Sequence, residues 1–201
     1  NPDFESEELR YTYSSLVTPW TTYDFNMSSK EQEVKKQQEV LGGYDASEYE
    51  SKRIMATADD GTQVPVSLVY KKGIELDGTN PTVLYAYGSY GYSSDPTFNS
   101  KRISLLDRGF IWAIAHIRGG EEMGRHWYDD GKLLKKMNTF TDFNNCAEHL
   151  IGEGYTSSEN LFAIGGSAGG LLMGAIINLQ PELYKGVIAA VPFVDVVTTM
   201  L

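Results

Sequence analysis

The hexapeptide Gly165-Gly166-Ser167-Ala168-Gly169-Gly170 constrains this chain more than any other stretch. It contains Gly-x-Ser-x-Gly, preceded by the apolar run Leu161-Phe162-Ala163-Ile164 and followed by residues 171–179, which read as a helix. A strand, a sharp turn on a serine and a helix make a nucleophile elbow. The serine backbone in such a turn is strained, and flanking glycines let strand and helix approach it without a side-chain clash. The turn lifts the hydroxyl clear of the sheet, at the positive end of the helix. The competing reading is a glycine-rich turn whose serine caps a helix. The strand before, the helix after and the strand–helix alternation upstream favour the elbow. The chain has neither Gly-x-x-x-x-Gly-Lys-Ser/Thr for a phosphate loop nor Gly-x-Gly-x-x-Gly for a dinucleotide.

That alternation begins near Ile54. Residues 53–58 and 64–70 flank Asp59-Asp60-Gly61-Thr62 and predict a hairpin. Residues 82–87 predict a buried strand that ends in the loop Gly88-Ser89-Tyr90-Gly91. A helix is expected over 101–108 with Gly109 as its stop, then a strand over 110–116 running into Arg118-Gly119-Gly120. Phe140, Phe143, Ala147, Leu150 and Ile151 fall at helical spacing, ended by Gly152 or Gly154, and 186–191 is a further strand. The pattern predicts a mostly parallel sheet covered on both faces. Residues 1–41 have another texture, with short Tyr- and Thr-rich runs such as Tyr11-Thr12-Tyr13-Ser14 and Thr22-Tyr23-Asp24-Phe25. They fit the edge of an all-β module such as a propeller blade, although one partial unit establishes no repeat.

Composition excludes several function classes. With 17 Lys plus Arg against 27 Asp plus Glu, the net charge of −10 repels phosphate backbones, so no nucleic-acid partner is expected. No apolar run reaches the 18 or so residues that span a bilayer, so no membrane partner is expected either. The lone Cys146 excludes an internal disulfide and suits a reducing, cytoplasmic setting. The polar start without methionine and the apolar finish 191–201 predict a fragment of a larger protein.

A serine nucleophile needs a base, a group to orient that base, and donors for the oxyanion. The Ala168 N–H is the natural first donor, and a second is expected from Tyr85-Ala86-Tyr87-Gly88. On spacing alone, Tyr87 at a strand end reads as a packing residue. The three histidines, His116, His126 and His149, all precede Ser167, whereas this fold orders serine, acid, histidine. His116 reads as packed at the end of an apolar strand, His126 as part of a polar loop, and His149 as lying beside a helix's apolar face. Asp195 comes too soon after the last strand to be an obvious triad acid. The triad Asp and His are therefore expected outside this chain. The histidines are too far apart for His-Glu-x-x-His and one cysteine builds no zinc site, so neither a metal nor another cofactor is expected. Glu121-Glu122 and Asp129-Asp130 read as solvated loop, and Lys132, Lys135 and Lys136 as an exposed face.

Taken in order, these segments resemble the prolyl oligopeptidase family of serine peptidases. The residues concerned are Leu84-Tyr85-Ala86-Tyr87-Gly88-Ser89-Tyr90-Gly91, His116-Ile117-Arg118-Gly119-Gly120, Trp127-Tyr128-Asp129-Asp130-Gly131-Lys132, Asn138-Thr139-Phe140-Thr141-Asp142-Phe143, the elbow, and 191–201. The Gly88–Gly91 loop and the final stretch resemble the oligopeptidase B branch more than the prolyl-cleaving one. The resemblance implies an α/β-hydrolase fold, here the first part of its sheet over 42–201, preceded at 1–41 by the last strands of a β-propeller. By position it makes Ser167 the nucleophile, and gives the oxyanion hole to the Tyr87 hydroxyl and the Ala168 N–H. Asp95 matches an acidic position that binds basic substrates in bacterial relatives, while the second acidic position falls on Thr97. The implied activity is hydrolysis of short peptides after Arg or Lys through an acyl-enzyme. The alternatives are a prolyl-specific oligopeptidase, an acyl-ester hydrolase, or a catalytically incomplete fragment.

Overall fold

A computed structural model of the chain describes residues 3–200, in which two sheets follow one another along the sequence. Strands β1 (Glu8–Tyr13), β2 (Thr21–Asn26) and β3 (Gln32–Gln37) pair antiparallel in that order. Cross-strand pairs hold them in register: the Tyr11 ring stacks on Tyr23 with centroids 5.3 Å apart, and Arg10 Nε donates to Asp24 at 2.7 Å. The polar β3 is exposed along its whole length. The turn after β1 is tied to the second sheet, because Leu16 packs with Tyr49, Val69, Leu106 and Ile114, and the Phe98 N–H donates to Ser14 Oγ at 3.0 Å.

The second sheet has the order β4-β5-β7-β6-β8-β9, built from β4 (Tyr49–Thr57), β5 (Gln63–Lys71), β6 (Thr82–Tyr85), β7 (Ile111–Ala115), β8 (Leu161–Gly166) and β9 (Gly186–Ala190). Three of its five strand pairings are parallel, as expected, and the antiparallel pairings lie at one edge. β4 and β5 form the expected hairpin, and β5 also runs antiparallel to β7. The pairs β6–β7, β6–β8 and β8–β9 are parallel. The short turn at 58–62 can join β4 and β5 only as antiparallel neighbours, whereas the parallel strands β6, β7, β8 and β9 are separated by long crossovers.

Helix α1 (Ile103–Leu106) is only one turn, shorter than expected because its first residues, Ser100–Arg102, form a 3-10 turn; Gly109, at φ 83°, then reverses the chain as expected. Helix α2 (Arg125–Asp129) stands where a polar loop was expected, and carries an exposed His126. Helix α3 (Met137–Gly152) presents Phe143, Ala147 and Leu150 inward at helical spacing. Helices α4 (Ala168–Leu179) and α5 (Val196–Met200) complete the described chain.

Alternation along the strands makes the core. Leu84, Ala113, Leu161 and Ala163 are fully buried under α3 and α4 with Phe143, Leu172, Met173 and Ile176. Each of the Leu, Ile, Phe and Met side chains contributes about 1.5–3 kcal/mol on burial, and the alanines less. The opposite face is covered unevenly: Tyr85 and Ile164 are half-buried, and Ile188 is 56% exposed. No helix among the described residues is long and apolar enough to cross a membrane.

Candidate active site

Ser167 is the junction between β8 and α4, with φ 55° and ψ −114°. A non-glycine residue in such a region costs about 1–3 kcal/mol and persists only when its surroundings hold it. Here the Ser167 N–H donates to the Ala190 carbonyl at 3.0 Å. Its own carbonyl accepts from the N–H groups of Gly170 at 2.9 Å and Phe193 at 3.1 Å. A Cβ on Gly165 would collide with the Gly169 carbonyl, and one on Gly170 with Pro192, so close backbone contact demands glycine there. The serine is exposed, while Ala168 is buried as the first residue of α4. The N–H groups of a first helical turn lack intrahelical acceptors and sit at the positive end of the helix.

Tyr87 lies two residues beyond β6 and is half-buried. A Cβ on Gly169 would stand 2.9 Å from the Ala86 carbonyl and 3.6 Å from Tyr87 Cδ2, so the first turn of α4 abuts the strand exit that carries the tyrosine. Tyr87, Tyr92, Gly165, Gly166 and Ala190 line a cleft of about 480 Å³, and the Tyr92 ring meets Tyr87 edge-on with centroids 5.4 Å apart. Asp95 is exposed and, with Thr97, borders a second cavity of about 550 Å³. The two cavities share Tyr85, Tyr92 and Ile164.

The loop between β6 and α1 is held from below at three points. The Gly91 N–H donates to the Gly119 carbonyl at 3.0 Å, and the Ser94 N–H to Glu122 Oε1 at 2.9 Å. Lys136 Nζ donates to the Gly88 carbonyl at 2.6 Å and to Ser89 Oγ at 2.8 Å. Two of these anchors correct the reading from sequence. Glu122 is not solvated loop: its side chain is 8% exposed and folds back over Gly120, where any Cβ would collide with the carboxylate. Lys136 is not part of an exposed face, and burial pushes its ammonium down to about 8. Its position was the available signal, because it stands four residues before Phe140 and seven before Phe143, on the inward face of the helix. Lys132 and Lys135 do lie at the surface, paired with Asp129 and Asp130 at 2.5 and 2.6 Å.

The histidines stand apart from the serine. His116 is 1% exposed, with Nε2 2.7 Å from Ser67 Oγ, and His149 is half-buried on α3. Among the described residues, none hydrogen-bonds the Ser167 hydroxyl. Asp195 Oδ1 accepts from the Thr198 N–H at 3.3 Å, at the start of α5.

Comparison with known proteins adds a lineage to this geometry. The sequence profile of the prolyl oligopeptidase family matches residues 96–201. The chain is 56% identical over 202 residues to dipeptidyl aminopeptidase BI of Pseudoxanthomonas mexicana, an alignment that takes in 100% of this chain and 28% of the relative. It is 48% identical to protease 2 of Moraxella lacunata, covering 98% of this chain and 29% of that one. A solved structure of oligopeptidase B from Trypanosoma brucei with covalently bound antipain superposes with a TM-score of 0.90 at 52% identity, over 98% of this chain and 28% of the other. The chain therefore spans under a third of the length of the relatives it matches, and it belongs to the prolyl oligopeptidase family.

Proposed function

We propose that the longer protein containing this chain is a serine oligopeptidase that hydrolyses short peptides through an acyl-enzyme on Ser167. The strained backbone of Ser167, at φ 55° between strand and helix, carries the reading. The hydroxyl attacks the scissile carbonyl, its proton passes to a histidine, and the carbonyl oxygen becomes an oxyanion that accepts from the Ala168 N–H and the Tyr87 hydroxyl. The amine then leaves with a proton, and water releases the acyl group. The orienting Asp and the base His belong, in this reading, to the rest of the longer protein. Residues 42–201 are then the first part of an α/β-hydrolase domain, and 1–41 the last strands of a β-propeller. Cleavage after Arg or Lys is the proposed preference, with the exposed Asp95 beside the cleft attracting a basic substrate side chain. The buried lone Cys146 is compatible with a reducing cytoplasm.

The 56% identity to a dipeptidyl aminopeptidase favours one second reading, removal of dipeptides from a free amino terminus. The test treats the longer protein and its Ser167→Ala variant with a fluorophosphonate probe, followed by hydrolysis of reporters. Labelling that vanishes in the variant supports the nucleophile; equal labelling of both proteins overturns it. Blocked Arg and Lys reporters cleaved faster than Pro reporters and short-chain esters support the basic preference. Turnover confined to reporters with a free amino terminus favours the aminopeptidase instead.

A further inference from the structure

Lys136 meets the loop at the residue next to Tyr87. Its Nζ donates to the Gly88 carbonyl and the Ser89 hydroxyl. The same Gly88 has no room to move sideways: a Cβ there would stand 2.6 Å from Thr139 Cγ2 and 2.7 Å from Ile117 Cδ1, and a Cβ on Gly119 would strike the Gly88 carbonyl. Gly88, the residue after Tyr87, is thus wedged between the turn after β7 and the start of α3, with the ammonium as a polar clamp on its carbonyl.

We propose that Lys136 is a positioning residue for catalysis, holding the Gly88–Ser89 peptide so that the Tyr87 hydroxyl faces the oxyanion, and that it does so only while protonated. This inference rests on the assignment of Tyr87 to the oxyanion hole. A hydrogen bond from an ammonium is about twice as strong as one between neutral groups, and a neutral amine is a poor donor to a carbonyl. The groups packed on the ammonium are the Gly88 carbonyl, the Ser89 hydroxyl and the Phe140 ring, whose centroid is 5.8 Å from Nζ. No carboxylate lies within 4 Å of it among the described residues, Asp129 and Asp130 being paired with Lys132 and Lys135. Burial, with no charged neighbour offsetting it, brings its loss of the proton to about pH 8. The clamp therefore loosens as pH rises through about 8.

The experiment measures kcat and KM against pH for the longer enzyme and its Lys136→Arg, Lys136→Met, Tyr87→Phe and Lys136→Met/Tyr87→Phe variants, with active sites counted by fluorophosphonate titration. The expected wild-type kcat falls above pH 8. Lys136→Arg keeps a permanent charge and loses that alkaline limb. Lys136→Met has kcat about tenfold lower at pH 7, the scale of one lost charged hydrogen bond, with KM within about twofold. Because Lys136 acts through Tyr87, the double variant is no slower than Tyr87→Phe alone. An alkaline limb near pH 8 that persists in Lys136→Arg, or losses that multiply in the double variant, overturns the proposal. Should Lys136→Met yield no titratable serine, the Lys136→Arg profile decides alone by the same criterion. Full turnover in Tyr87→Phe sinks the tyrosine assignment and this inference with it. A slowed Tyr87→Phe beside unaffected Lys136 variants sinks only this inference.

Discussion

Two side chains and one amide carry the proposed chemistry, and each is placed through the backbone that bears it. Ser167 owes its exposure to a strained turn braced by Ala190 and Phe193, and Tyr87 sits between two backbone restraints, the close approach of Ala86 to Gly169 and the hold of Lys136 on Gly88. The hydroxyl of Tyr87 is therefore removable without disturbing its neighbours, since its ring contacts are with Tyr90 and Tyr92. Tyr87→Phe in the longer enzyme is expected to lower kcat by about 10²–10³, as for other single oxyanion donors, and to leave KM nearly unchanged. Steady-state kinetics with a good peptide reporter checks this, and an unchanged kcat rejects the role. Ser167 was legible in the sequence because glycines on both sides of a serine, between strand and helix, have few other uses. Tyr87 was not legible from spacing, where a strand-end tyrosine resembles any packing residue, and only the family resemblance singled it out. Lys136 and Glu122 depart from the sequence expectation for a shared reason: charge alone suggests exposure, while the inward phase of the helix and the missing side chain of Gly120 point the other way.

At the scale of elements, the turn after β7 is the hub that fixes the cleft wall. Arg118 in that turn donates from Nε and Nη2 to Asp142 of α3 at 2.9 and 2.6 Å, and from Nη1 to Asp60 of the β4–β5 turn at 2.6 Å. Asp142 is fully buried; burial pushes its carboxyl up, and the Arg118 hydrogen bonds oppose that. Removing it by Asp142→Ala leaves a buried guanidinium without its two-point partner, a loss of about 3–5 kcal/mol. The apparent Tm of the longer protein should drop by several degrees, measured by thermal inactivation, and a Tm unchanged within a degree would show that the pair is not structural. The Asp60 arm adds an acid sensitivity. Hydrogen bonding to Arg118, more than any other cause, holds its carboxyl near 2 instead of 3.8. Its contribution is thus complete above about pH 4 and lost as pH falls towards 2, and it is small because the side chain is 48% exposed. Strands and the long helices were readable from their periods, because period depends on side chains alone. The antiparallel pairing of β5 with β7 was not, since direction depends on how each connection closes, and the one-turn α2 has too few residues to show a period.

For the whole molecule, the decisive feature is where the second sheet stops. Among the described residues β9 is its last strand and pairs only with β8; Ile188 on it and Val191 just after it are 56% and 85% exposed. An open strand edge flanked by apolar side chains is a template for pairing with another copy. The 201-residue chain expressed alone should therefore self-associate, eluting ahead of a monomer on size exclusion and scattering light as concentration rises. Ile188→Lys separates this cause from general misfolding. In the isolated chain a charge beside the edge should raise the monomer fraction, because like charges oppose the docking of a second β9. In the longer protein, where further chain is proposed to cover the same strand, the same lysine would be buried without a partner, and the apparent Tm should fall. Opposite signs in the two settings identify the β9 border as a junction with the rest of the protein. The same sign in both, or a monomeric isolated chain at every concentration, would show that the sheet is closed by the residues it already has.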